Sequence, residues 1–250
     1  MVKRFANNYQ SISLTVLQLW EAFIMDVHLN LVVDGTKKVL EIKDVYCIGY
    51  TGRSMEKTKE HIAELEDIGI PAPDEIPTLY PVRTSSLIQD GQIDVLGPET
   101  SGEVEIVFVY GNTPDEVYMT VGSDHTDRSL ETVDINKSKQ VCDKPIATKA
   151  WKLNDLIEHW DEIELSSETY INGKWEPYQS HKIDAIMTYE DITAYLKRKN
   201  VSLKNAVFFA GTVPLKDGFK YGSQFRMKIK DPVRKDEIKA TYSIRNIERS

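Results

Sequence analysis

Apolar residues along this chain fall mostly into short runs that alternate with polar ones or are apolar on both sides, the patterns of half-buried and fully buried strands. His28-Leu-Asn-Leu-Val-Val33 alternates and is followed at once by Asp34-Gly35, so a hairpin is predicted there. Asp44-Val-Tyr-Cys-Ile-Gly49 reads as the next strand. In Gly102-Glu-Val-Glu-Ile-Val-Phe-Val-Tyr110, Val104, Ile106 and Phe108 line one face while Val107 and Val109 line the other, which predicts a strand buried on both sides. Turn chemistry at Gly111-Asn-Thr-Pro-Asp115 leads into a returning strand, Glu116 to Gly122. Further strands are expected at Ile163 to Ser166 and Glu168 to Ile171 around polar turns, with Asn172-Gly173 marking a hairpin, and from Asn205 onward.

Helical periodicity is confined to a few segments. Leu14, Leu17, Trp20 and Ile24 recur at helical spacing between Leu14 and Met25. Ser54 caps a helix expected to run to Ile68, which Gly69 ends before Pro71. Ala150 to Trp160 reads as a helix, and Thr188 to Lys199 as another with Tyr189, Ile192, Tyr195 and Leu196 on one side. The four prolines between Pro71 and Pro81 predict an irregular extended stretch. No repeat or linker interrupts the pattern, so a single mixed domain dominated by β-structure is expected.

The strand at 102–110 carries the strongest chemical signal. Glu103 and Glu105 are two apart, so both carboxylates point to one face, and that face is otherwise apolar. Ionised carboxylates are not buried without a partner. Folding the hairpin about Thr113 brings Asp124 opposite Glu103, at about 5 Å between backbones. Three oxygen donors so placed suit a hard divalent cation, Mg²⁺ or Mn²⁺.

The chain has 250 residues, 41% of them hydrophobic, enough for a substantial core. Its net charge of -8 argues against a nucleic-acid or membrane-surface partner. The two cysteines, Cys47 and Cys142, lack metal spacing and are expected to be reduced buried thiols of a cytoplasmic protein. The segment Leu14 to Met25 is interrupted by Gln18 and Glu21 and is too short to span a bilayer, so it reads as an amphipathic helix within an extension, residues 1–24, ahead of a domain at 25–250. Met25 is a candidate natural start, and a chain begun there is expected to keep its solubility and melting temperature. Thermal melts of the two chains test this, because a marked loss would show that the Leu14, Leu17 and Trp20 face is docked.

Other residues suggest a role through their spacing. His61 and Glu64, three apart on one helix, could form a carboxylate-oriented general base. Arg128, Lys137, Lys139 and Lys144 form a basic run after the acidic trio, suited to an anionic substrate or a developing oxyanion. Thr212, at the end of the apolar run before Pro214, could hold a carboxylate through its hydroxyl and amide. His125 is a further candidate ligand, although the carboxylates suffice, and His159 reads as structural. No phosphate-cradling loop, zinc-spaced Cys/His set or nucleophile elbow is present.

Taken together, Gly49-Tyr-Thr-Gly-Arg53, His61-Ile-Ala-Glu-Leu65, Thr100-Ser-Gly-Glu-Val-Glu105, Val121-Gly-Ser-Asp-His-Thr-Asp-Arg128, Lys137-Ser-Lys-Gln-Val-Cys142, Lys144-Pro145, His159-Trp-Asp161 and Gly211-Thr-Val-Pro214 resemble the fumarylacetoacetate hydrolase superfamily, most closely its branch called domain of unknown function 2848. The resemblance implies an α+β, β-rich fold: a mixed β-roll or sandwich of the superfamily's C-terminal-domain type, with a few flanking helices and a lid helix near 54–68. It implies Mg²⁺ or Mn²⁺ at Glu103, Glu105 and Asp124, water activation by His61 and Glu64, an oxyanion contact from Lys137 with Lys139 as its neighbour, and a substrate contact from Thr212, to which the basic run adds Arg128 and Lys139 as candidate substrate-binding residues. It also implies a homodimer acting on a small anionic substrate. The sequence departs from the superfamily in a longer segment between the Gly49 strand and His61, in Val213 between Thr212 and Pro214, and in Pro81 to Arg83 where a lysine-proline element is usual. The expected activity is hydrolysis of a carbon–carbon bond in an acylpyruvate-like 1,3-dicarbonyl acid. Hydration, isomerisation or decarboxylation of a 2-oxo acid at the same site, and a metal-stabilised binding protein without turnover, are the alternatives.

Overall fold

A computed structural model describes residues 27–248 apart from 68, 90 and 114. The helix expected from Leu14 to Met25, the candidate start at Met25 and the helix end at Ile68 lie outside the described residues.

Strand β1 (Val27–Val33) turns into β2 (Thr36–Ile42) through Asp34 and Gly35, whose φ angles of 49° and 74° are those of a type I′ hairpin turn. Strand β3 (Asp44–Gly49) leads to helix α1 (Met55–Asp67), entered through Ser54, whose Oγ accepts from Lys57 N at 3.3 Å. After α1 the N–H of Gly69 (φ 89°) donates to Glu66 O and that of Ile70 to Leu65 O.

The stretch through Pro81 is less irregular than its prolines suggest. Residues Thr78–Val82 form β4 and pair with β3, placing Pro81 opposite Tyr46 on an edge strand, the place in a sheet where proline is tolerated. Short strands β5 (Leu87–Ile88), β6 (Gln92–Val95) and β7 (Thr100–Ser101) precede the central hairpin of β8 (Val104–Tyr110) and β9 (Val117–Ser123). Then come β10 (Thr126–Asp127), α2 (Arg128–Glu131), α3 (Ile135–Gln140), β11 (Lys144–Pro145) and β12 (Lys149–Lys152).

The helix expected over Ala150 to Trp160 does not form. Its first residues belong to β12, and the rest are two short 3₁₀ turns, Leu153–Asp155 and Ile157–Glu162. Apolar residues three apart serve either helix type, and pairing of β12 with β9 and β1 decides against a continuous α-helix. The next two predicted strands are one, β13 (Glu164–Ile171), with a register shift between Ser167 and Glu168 in place of a turn. It pairs with β14 (Lys174–Lys182) through the expected turn at Asn172 (φ 52°) and Gly173 (φ 83°). Helix α4 (Tyr189–Arg198) buries Ile192, Tyr195 and Leu196, and β15 (Ala206–Thr212), β16 (Gln224–Asp231) and β17 (Asp236–Asn246) complete the chain.

Among the described residues the strands form a mixed eight-stranded sheet, ordered β2-β1-β12-β9-β8-β15-β3-β4, a five-stranded sheet, β14-β13-β16-β17-β6, and two short pairs, β10-β7 and β11-β5. The expected β-rich α+β architecture with few flanking helices is the one observed. Every residue of β8 is buried because each of its faces meets a separate core. Val104, Ile106 and Phe108 join Leu165, Phe225 and Tyr242 between the sheets, while Val107 and Val109 join Leu31, Cys47 and Phe209 on the far side. No described helix is long and apolar enough to cross a membrane.

Candidate metal centre

The hairpin register sets the site. Val104 stands opposite Ser123, and Asp124 N donates to Glu103 O at 3.0 Å, so the pair predicted across the turn is formed. One ligand oxygen from each of Glu103, Glu105 and Asp124 lies within 4.8 Å of the others. Asp124 is fully buried, Glu105 nearly so, and Glu103 reaches partly into solvent.

Electrostatics distinguish the three. Burial alone would raise the Asp124 carboxyl, but Lys139 and Lys144 outweigh it and hold the group below the usual carboxylate range. Lys139 Nζ lies 2.5 Å from Asp124 Oδ2, and Lys144 Nζ lies 3.1 Å from Oδ1. Glu105 is pushed well above its ordinary value, first by burial and then by the charges of Asp124 and Glu103. Its Oε2 accepts from Gly211 N at 3.0 Å, while both lysines are spent on Asp124. Gly211 has φ 143°, and a Cβ there would stand 2.3 Å from Thr51 Oγ1, so this close approach needs glycine. A buried carboxylate facing two others, with one amide donor, is an electrostatic deficit that a divalent cation corrects. The oxygen donors suit Mg²⁺ or Mn²⁺.

The structure sorts the other candidates. Lys139, on α3, reaches the trio; burial alone would lower its ammonium, but the charges of Asp124, Glu103 and Glu131 outweigh that and hold it well above its ordinary value. Lys137 does not reach the trio. Its ammonium pairs with Asp134, the N-cap of α3, at 3.0 Å and is 74% exposed, whereas Lys139 is the lysine of this helix that meets Asp124. The two lysines are two residues apart on a helix and therefore point to opposite sides.

Arg128 is buried beside the trio, but its side chain is held by protein partners. Nε donates to Ser101 Oγ at 2.7 Å, Nη1 meets Glu131 Oε2 at 2.9 Å and Nη2 lies 3.7 Å from Glu103 Oε2. Thr212 stands opposite Glu105, yet its hydroxyl donates to Val104 O at 2.6 Å and accepts from Gln179 Nε2 at 2.7 Å. The carboxylate held at this strand end is Glu105, by the Gly211 amide.

His61 and Glu64 are brought together, with Nδ1 and Oε2 3.5 Å apart, but on the exposed side of α1 and outside the buried trio. His125 is no ligand here, since Nδ1 contacts Tyr242 OH at 2.9 Å and Nε2 contacts Thr100 Oγ1 at 3.0 Å. Burial, then Lys144 and Arg128, hold that imidazole neutral. His159 is structural, with Nε2 2.8 Å from the buried Asp231. Cys47 and Cys142 are free buried thiols, both pushed up by burial. Sequence reasoning did not single out Tyr242 or Gln179 as site residues, because their link to the trio is tertiary and leaves no spacing signal, and it passed over Ser123, next to Asp124, and Glu131, three residues after Arg128, although both lie close by in sequence.

The family profile described as "Protein of unknown function (DUF2848)" matches residues 48–242. The chain belongs to the DUF2848 family. Among solved structures, fumarylpyruvate hydrolase from Pseudomonas aeruginosa, in complex with Mn²⁺ and pyruvate, is 17% identical, with a TM-score of 0.59 over 91% of this chain and 99% of the other. A 2-keto-3-deoxy-D-arabinonate dehydratase complexed with magnesium and 2,5-dioxopentanoate is 14% identical, with a TM-score of 0.61 over 85% and 77%. A protein from Oleispira antarctica, provisionally named a fumarylacetoacetate isomerase/hydrolase, is 15% identical, with a TM-score of 0.62 over 86% and 99%. No curated protein matches the chain. DUF2848 family membership and the fold of fumarylacetoacetate hydrolase-like proteins are thus shown for this chain, and its acidic trio could hold a metal.

Proposed function

We propose that this DUF2848 protein is a divalent-metal-dependent hydrolase that cleaves a carbon–carbon bond in a small acylpyruvate-like 1,3-dicarbonyl acid. The observation that carries the reading is the buried trio of Glu103, Glu105 and Asp124, whose oxygens converge while the nearby lysines neutralise Asp124. Mg²⁺ or Mn²⁺ held there would supply the positive charge that binds and polarises a 2-oxo acid. Glu103, Glu105 and Asp124 fix where that charge sits. Lys139, anchored on Asp124, places an ammonium beside it for the developing oxyanion. His61, oriented by Glu64, takes a proton from water as that water adds to the distal carbonyl, and the carbon–carbon bond then breaks to leave an enolate that is protonated.

A second reading keeps the trio and Lys139 and dispenses with the attacking water, as in a hydratase, isomerase or decarboxylase. The exposed position of His61 favours it, because enolate stabilisation needs only the groups already assembled. Product analysis with acylpyruvates, oxaloacetate and 2-oxo-enoates, each with Mg²⁺ and Mn²⁺, separates the readings. Pyruvate and a carboxylic acid from an acylpyruvate support hydrolysis. Ligand-induced stabilisation with no product from any substrate at any pH would make the chain a binding protein instead. A homodimer and a small anionic substrate belong to the same proposal, and sedimentation equilibrium tests the former.

The lysines supply a sharper test. Lys139→Ala is expected to lower turnover by at least 10²-fold, on the scale of a lost oxyanion donor, whereas Lys137→Ala should stay near wild type in turnover and within about 0.5 kcal/mol in stability. Steady-state kinetics and melts of both variants check this. Equal losses would return the role to Lys137.

A further inference from the structure

The two loops that carry the outer carboxylates are tied together by a residue from the other sheet. Tyr242, on β17, is buried, and its hydroxyl lies 2.9 Å from Ser123 Oγ and 2.9 Å from His125 Nδ1. Ser123 Oγ accepts from Glu103 N at 3.2 Å, and His125 Nε2 meets Thr100 Oγ1 at 3.0 Å. An unbroken chain of hydrogen bonds thus runs from the Glu103 amide through Ser123, Tyr242 and His125 to Thr100. Both ends lie on the segment 100–103, while Ser123 and His125 flank Asp124. The carbonyl of His125 also accepts from Lys144 Nζ at 2.7 Å, and Lys144 holds Asp124 Oδ1. At Gly102 a Cβ would stand 2.6 Å from the Tyr242 oxygen and 2.8 Å from the Phe225 ring, so the loop carrying Glu103 is moulded on Tyr242.

We infer that Tyr242 and His125 are positioning residues of the metal centre, fixing the separation of the Glu103 and Asp124 carboxylates through the Ser123 and Thr100 hydrogen bonds. This rests on the metal-centre reading above. Residues that orient metal ligands characteristically cost about 10- to 100-fold in affinity or activity when replaced. Tyr242 needs no contact with the ion for such an effect, because its one hydroxyl joins the two loops.

The test uses the full chain, Mn²⁺ titrated by calorimetry, the electron paramagnetic resonance spectrum of the bound ion, and melts without metal. Tyr242→Phe keeps the ring and removes the joint. It is expected to stay folded, to weaken Mn²⁺ binding by about 10- to 100-fold and to broaden the spectrum. His125→Asn, whose amide can stand where Nδ1 does, should keep more affinity than His125→Gln, whose amide stands where Nε2 does and keeps only the Thr100 arm. Should Tyr242→Phe fail to fold, Ser123→Ala cuts the same chain beside Glu103 and is expected to give the same loss. Wild-type affinity and spectrum in the folded variants, even with a lowered melting temperature, would reduce the network to packing and overturn the inference, as would equal affinities for the two His125 variants. Failure of the wild-type chain itself to bind Mn²⁺ would instead overturn the metal-centre reading, and this inference with it.

Discussion

Glu105→Gln is expected to abolish Mn²⁺ binding and turnover while leaving the metal-free protein at least as stable as wild type. The reason is that Glu105 is the carboxylate whose burial is least compensated: it faces Asp124 and Glu103, and Gly211 supplies one amide. Its folded-state carboxyl is raised, so the folded chain binds that proton more tightly than the unfolded chain does. The destabilisation is therefore fully present above the folded pKa and is relieved as pH falls through it. A neutral amide removes that penalty and with it an anionic ligand, a trade of stability for function of the kind found at sites built for a ligand. Asp124→Ala should behave differently. Asp124 neutralises two buried ammonium groups. Leaving them unpaired should cost about 3–5 kcal/mol on the scale of a broken buried ion pair. Glu103, which reaches partly into solvent and lies 3.7 Å from Arg128, should cost less stability. Calorimetry with Mn²⁺ and metal-free melts of the three variants decide the matter. Wild-type affinity in all three would remove the central claim, and equal melting temperatures would refute the distinction among them.

What was legible in the sequence was whatever local rules determine. Strand alternation and the turn at Gly111 to Asp115 fix a hairpin register, and that register alone places Asp124 opposite Glu103. Ser54, Gly69 and Asn172-Gly173 mark boundaries through cap and turn chemistry that acts within a few residues. Where two local rules agreed, the reading was ambiguous. Ala150 to Trp160 carries apolar residues at a spacing that suits an α-helix or 3₁₀ turns, and the choice was made by sheet partners far along the chain. Lys137 and Lys139 are adjacent members of one basic run, and only the orientation of α3, capped by Asp134, shows which of them points inward. Tyr242 lies beyond any motif, since its contacts with Ser123 and His125 span 119 and 117 residues of sequence.

His61→Ala is expected to lower the rate of the chemical step by about 10² to 10⁴ with Mn²⁺ affinity intact, because the imidazole acts on water and is no ligand. In this structure His61 is 60% exposed and paired with Glu64, so the prediction requires α1 to close over the trio when substrate is bound. The helix buries only Thr58 and Ile62, so little apolar contact resists a shift. Its entry is anchored where a hinge would be. Arg53 N donates to Ala185 O, its guanidinium grips Asp161 at 2.7 and 3.0 Å, and Met187 N donates to Thr51 O. Closure would then swing His61 about a fixed point at Arg53. Single-turnover kinetics separate this step from binding and product release. Unchanged turnover in His61→Ala would exclude hydrolysis as drawn and leave the trio with Lys139 to do hydratase, isomerase or decarboxylase chemistry. A loss confined to KM would assign the helix to substrate capture and leave water activation to another group.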